Sequence, residues 1–156
     1  MRADQGQLWQ VTRAQPADAF ALAALELQLN REHGRSGEAG FLDRYADAWL
    51  AEAERRPAWI AKSLDGSPRG GILLFVVDGL PRPGRLSRPW VHLTNLYVTP
   101  GARRMGVGEE LLTSALDWAR DNRALWVQLG AGAGSSLFRR SGFTPAGGRL
   151  LRLDLP

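Results

Sequence analysis

Asn95-Leu96-Tyr97-Val98-Thr99-Pro100-Gly101-Ala102-Arg103-Arg104-Met105-Gly106-Val107-Gly108-Glu109-Glu110 is the stretch on which the reading of this chain turns. A strand rich in β-branched and aromatic residues runs out at Pro100, a tight loop follows, and a helix is predicted to begin near Met105. The first turn of such a helix leaves about four backbone N–H groups without intrahelical partners. Together with the positive end of the helix dipole, those donors make an anion site. Gly106 and Gly108 carry no side chain to keep a bulky phosphate away from the backbone. Arg103 and Arg104 add positive charge with paired donors suited to phosphate oxygens. The plain alternative is an ordinary turn with solvated arginines, because short glycine motifs recur by chance. Against it stands the cost of glycine in a helix, about 1 kcal/mol each relative to alanine. A pyrophosphate is the ligand this segment suits.

Working outward, the helix is predicted over residues 105–122, with Val107, Leu111, Leu112, Ala115, Leu116 and Ala119 on one apolar face. The strand before it covers 90–99. Upstream lie two strand-like runs, 58–64 and 71–77, separated by the turn signal Asp65-Gly66-Ser67-Pro68-Arg69-Gly70. Two helical runs, 19–32 and 41–55, precede them, split by Gly34, Gly37 and Gly40, and a first strand is read at 8–13. Downstream, a strand at 124–129, a short helix at 135–141 and a closing strand at 149–155 complete the order β-α-α-β-β-β-α-β-α-β. A meander followed by a crossover predicts a mixed, mostly antiparallel α/β sheet with helices on both faces. All 156 residues fit a single domain.

Composition narrows the function classes. The chain has no cysteine, which removes disulfides, thiolate metal sites and a cysteine nucleophile. No metal and no membrane span are expected, the amino terminus lacks the apolar core of a signal peptide, and a cytoplasmic protein is the simplest reading. Residues 1–54 carry nine acidic and five basic side chains, whereas residues 55–156 carry seven acidic and fifteen basic, so the net charge of +4 conceals a basic half. A basic half suits an anionic ligand. Nucleic acid ranks last among such ligands, since charge alone supports it.

The segment resembles the signature of the GNAT superfamily of acyl-CoA-dependent N-acetyltransferases: a strand, a Pro-containing loop, then Arg/Gln-x-x-Gly-x-Gly/Ala entering a helix. Arg103, Gly106 and Gly108 occupy those places, and Phe138-Arg139-Arg140-Ser141-Gly142-Phe143 is similar to the family's second block. The resemblance implies a sheet of about six to seven strands and acetyl-CoA as cosubstrate. It also implies that backbone groups of Leu96, Tyr97 and Val98 pair with the pantetheine arm as an added strand would. Arg103, Arg104, Gly106, Val107, Gly108 and Glu109 would surround the pyrophosphate. The activity it implies is acetyl transfer to a primary amine of a small molecule or peptide, and dimers are frequent in similar proteins.

Acetyl transfer needs a neutral amine, and a lysine-like amine has a pKa of about 10.4, so a base or a desolvating, positively charged environment must strip its proton. Strict alternation along 90–99 places His92, Thr94, Leu96 and Val98 on one face and Val91, Leu93, Asn95 and Tyr97 on the other. Relatives with a glutamate base carry it on the His92/Thr94 face, where this sequence has no carboxylate. His92 is the candidate general base, against the plainer role of a packed strand histidine. His33 reads as a loop histidine. The family's leaving-group tyrosine is Phe138 here and its asparagine is Ala131, which leaves Tyr97, Ser135, Ser136 or water as proton donors. That departure supports a second reading, a catalytically weak acyl-CoA-binding or regulatory protein with the same fold. Acidic residues near the first two helices, Glu26, Glu32, Glu38, Asp43 and Asp47, stand where a cationic acceptor would be drawn, or simply form a solvated surface. Trp49 and Trp59 are read as core.

Overall fold

The computed structural model describes residues 8–130, 136–148 and 151–154. Among the described residues, five strands form one sheet in the order β1 (Trp9–Arg13), β2 (Ala58–Ser63), β3 (Pro68–Val77), β4 (Trp90–Val98), β5 (Val127–Gln128). The first three pairings are antiparallel, and β4 to β5 is parallel. The helices are α1 (Ala19–Glu32), α2 (Phe41–Ala51), α3 (Val107–Asp121) and the short α4 (Ser136–Arg140). The mixed α/β architecture agrees with the sequence reading, with fewer strands than the six to seven expected. Residues 151–154 lie in no strand, and Arg149, Leu150 and Leu155 lie outside the described residues.

Period-two alternation divides the sheet into two cores. Trp59, Ala61, Ile72, Leu74, Val91 and Leu93 pack against Val107, Leu111, Leu112 and Ala115 of α3. Ala58, Ile60 and Tyr97 turn the other way, onto Leu22 and Leu25 of α1 and Ala46 and Trp49 of α2. Trp49 is buried there, its indole N–H donating to the Arg56 carbonyl at 2.9 Å. Trp59 is buried on the α3 side, with the Arg13 guanidinium 4.8 Å from its ring centroid. Both tryptophans are core, as read. The Trp9 indole donates to the Glu110 carboxylate at 2.7 Å, fastening the first strand to the start of α3.

Strict alternation fails between β2 and β3, where Arg69 is an extra residue, and again in β4, where the failure matters for the site. Leu74 pairs with Leu93 and Leu73 with Asn95, so Thr94 is an extra residue in β4 with no partner across the ladder. Such a bulge shifts the phase of everything beyond it. Leu96 and Val98 therefore join Val91 and Leu93 on the α3 face, while His92, Asn95 and Tyr97 share the α1/α2 face. The expected grouping of His92 with Leu96 and Val98 is corrected by this one residue. Thr94 is exposed, and its hydroxyl donates to the Leu73 carbonyl at 2.8 Å, which closes the bulge on itself.

Candidate functional site

β4 and β5 pair only through Val91–Val127 and His92–Gln128. Beyond them the strands part, and a cleft of about 390 Å³ opens, lined by His92, Leu93, Thr94, Asn95, Leu96, Leu129, Gly130 and Phe138. The backbone along its wall follows the bulge. Thr99 N–H donates to the Arg69 carbonyl at 2.8 Å, so the peptide groups of Thr99 and, two residues back, Tyr97 are directed at β3. The alternate residues Leu96 and Val98 present theirs to the open edge. Of the three residues expected to offer main-chain groups there, Tyr97 pairs with Gly71 across the ladder, and the Val98 carbonyl accepts from Arg103 Nε.

At the end of β4 the chain makes a 3-10 turn, Pro100–Ala102, and then two left-handed residues, Arg104 at φ 63° and Gly106 at φ 91°. Gly106 is thus the N-cap of α3 and lies outside the helix, which begins at Val107 rather than Met105. Its glycine is explained by that conformation, which L side chains rarely adopt. Glu110 N–H makes the first bond of the helix, to the Gly106 carbonyl at 3.1 Å. The N–H groups of Val107, Gly108 and Glu109 precede it and have no backbone acceptor among the described residues. A Cβ placed on Gly108 would sit 3.5 Å from both Val98 and Leu137, an ordinary contact, so packing does not forbid alanine. Glycine there leaves a notch between the end of β4 and α4.

The two arginines of the loop do different things. Arg103 Nε donates to the Val98 carbonyl at 2.9 Å, and its Nη2 pairs with Glu32 at 2.7 Å. Its guanidinium also lies 5.7 Å from the Tyr97 ring centroid. Tyr97 donates its hydroxyl to the other Glu32 oxygen. The hydrogen bond from Arg103, then that from Tyr97, hold the Glu32 carboxyl below its ordinary range. Burial first, and Glu32 second, push the Tyr97 phenol up to about 12. Arg104 is exposed and makes no ion pair among the described residues, so it is the guanidinium of the two that is free to meet an anion.

His92 lines the cleft between Phe75 of β3 and Gln128 of β5, on the α1/α2 face. Its ring has no hydrogen-bond partner among the described residues. His33 is the exposed C-cap of α1. Phe138 is buried, packed edge-on against Phe143 at 5.6 Å, and it faces the cleft with a ring that has no proton to give. Ser136 accepts from Arg140 at 2.9 Å, while Ala131 and Ser135 lie outside the described residues. The hydroxyl of Tyr97, another of the donor candidates, is held by Glu32 of α1. One contact had no signal in the sequence: the Asn95 amide donates to Glu26 of α1 at 2.7 Å, across 69 positions.

The comparisons agree with this geometry. The profile of the Acetyltransferase (GNAT) family matches residues 22–143. Among solved structures, a predicted acetyltransferase with acetyl-CoA from Clostridium acetobutylicum superposes with a TM-score of 0.76 at 16% identity, over 94% of this chain and 96% of its own. A GCN5-related N-acetyltransferase from Ralstonia eutropha gives 0.69 at 24% identity, over 93% of this chain and 98% of its own. An acetyltransferase of Trypanosoma brucei gives 0.69 at 23% identity, over 94% and 99%. No curated protein sequence matches the chain. No helix among the described residues is long and apolar enough to cross a membrane. With its family profile spanning most of the chain, and its split sheet opening beside an uncapped helix, the protein belongs to the GNAT acetyltransferase family.

Proposed function

We propose that this chain is a single-domain N-acetyltransferase that moves an acetyl group from acetyl-CoA to a primary amine of a small molecule or peptide. The observation that carries the reading is the parting of β4 from β5 after two residue pairs, with the free edge leading through residues 99–106 to a helix start whose first N–H groups have no backbone acceptor among the described residues. Leu96 and Val98 offer the edge groups that a pantetheine arm would pair with. The N–H groups of Val107, Gly108 and Glu109, Gly106 with its open backbone, and the Arg104 guanidinium suit the pyrophosphate. Arg103 borders the same site, with Glu32 and the Val98 carbonyl holding its side chain in place. Acetyl-CoA supplies the acetyl group as a thioester at the cleft.

His92 then has a defined task. It accepts the proton that an ammonium must lose before its nitrogen can form a bond to the thioester carbonyl carbon. As that C–N bond forms and the C–S bond breaks, the thiolate leaves and the acylated nitrogen gives up its surplus proton to the departing sulfur or to water. A thiol of pKa about 8.5 leaves acceptably near neutral pH, so Phe138 in the tyrosine position removes an aid rather than the reaction. Holding both reactants in one cleft carries much of the rate. The test is calorimetric titration with acetyl-CoA, followed by release of CoA thiol on adding primary amines. Binding with amine-dependent release is expected.

Phe138 favours one other reading, an acyl-CoA-binding protein with little catalysis, because the tyrosine's place on the cleft wall is taken by a ring with no proton to give. Tight acetyl-CoA binding with no thiol release for any amine would select it.

A further inference from the structure

The five acidic side chains around the first two helices are not equivalent. Glu32 is consumed by Arg103 and Tyr97, and Glu38 is paired with Arg44 at 2.5 Å. Asp43 and Asp47 are exposed on α2. Glu26 differs from all four. It is half-buried, and one of its oxygens accepts from Asn95, a residue that lines the cleft and follows His92 on the same face of β4 once the Thr94 bulge is counted. An ionised carboxylate has about four lone-pair sites, and Asn95 uses one. No other hydrogen bond reaches Glu26 among the described residues.

We propose that Glu26, oriented by Asn95, is the acceptor-side recognition group of this protein, and that its substrates are amines that arrive protonated. The inference rests on the transferase reading and deepens it: Glu26 draws the ammonium to the cleft, and His92 takes the proton there. Tyr45 supports the assignment. Burial first, then the Glu26 charge, push its phenol up to about 12, so it stands beside the carboxylate as a neutral hydroxyl at any working pH. Asn95 acts through Glu26 and is a positioning residue.

The test is steady-state acetylation of two probes by the whole protein: cadaverine, a cationic amine, and p-anisidine, an aromatic amine uncharged at pH 7.5. Glu26→Gln keeps an acceptor for Asn95 and removes the charge. It is expected to raise KM for cadaverine about tenfold or more, the loss of a charge-assisted contact, with KM for p-anisidine and the Kd for acetyl-CoA unchanged. Glu26→Asp should recover part of the loss, and Asn95→Ala should move cadaverine KM in the same direction as Glu26→Gln. Equal changes for both probes, or none for either, would overturn the proposal. So would a wild-type protein that binds acetyl-CoA yet acetylates only p-anisidine. A wild-type protein that binds no acetyl-CoA overturns the transferase reading itself, and calorimetry tells that failure from the others.

Discussion

At the loop end of β4, the groups assigned to the cosubstrate lie in one unbroken run from Leu96 to Glu109. At the cleft end, the groups assigned to the acceptor are His92 of β4 and Glu26 of α1, and the Asn95–Glu26 contact spans 69 positions. The first site is made of backbone: edge peptide groups, open N–H donors and a left-handed glycine. The second is made of side chains delivered by separate elements. A backbone site tolerates change in most side chains but fails when φ is disturbed, whereas a side-chain site fails one residue at a time. The two ends should therefore respond to different mutations.

The largest effect is expected at Gly106. A β-branched residue at φ 91° cannot keep the turn, so Gly106→Val should weaken acetyl-CoA binding by about 100-fold or more in calorimetry. Next comes His92→Ala at the other end. It should lower kcat by roughly 10²–10⁴-fold and leave acetyl-CoA affinity intact. An unchanged kcat would remove His92 as the base. The arginines sharpen the contrast within the loop: Arg104→Ala should cost about tenfold in acetyl-CoA affinity and flatten its salt dependence. Arg103→Ala should mainly loosen α1 from the end of β4 and alter salt dependence less, because its charge is already paired with Glu32.

The smallest effect concerns Tyr97. Burial first, and the bond to Glu32 second, raise its pKa, so the neutral phenol's contribution to the folded state is present below about pH 10 and lost as pH climbs towards about 12. Glu32 has the opposite sign: its folded pKa is depressed, so its contribution is present above the unfolded value and lost as pH falls. In a Tyr45→Phe background, Glu32→Gln should shift the phenolate absorbance titration of Tyr97 towards its ordinary pKa of about 10. An unmoved titration would leave burial as the whole cause.

The same contrast explains what the sequence made legible. A strand–turn–helix with Arg103, Gly106 and Gly108 is a local pattern, and the elements around it were placed within a few residues. The glycines illustrate a limit even there. Counted together as helical, they proved to have separate causes, with Gly106 set by its φ and Gly108 leaving a notch that packing does not demand. The Thr94 bulge was not legible, because alternation has no marker for one extra residue, yet it decides which side chains accompany His92. The capture of Arg103 by Glu32 and the Asn95–Glu26 contact were hidden for another reason. Both depend on α1 lying along β4, a tertiary fact that neither helix nor strand periodicity encodes.

The most direct test of the central claim is residue-resolved: backbone amide shifts followed by NMR as acetyl-CoA is added. The account predicts saturable shifts at Leu96, Val98, Val107, Gly108 and Glu109, with β1 and β2 little changed. Saturable binding whose shifts fall elsewhere, or no shifts at all, would contradict it.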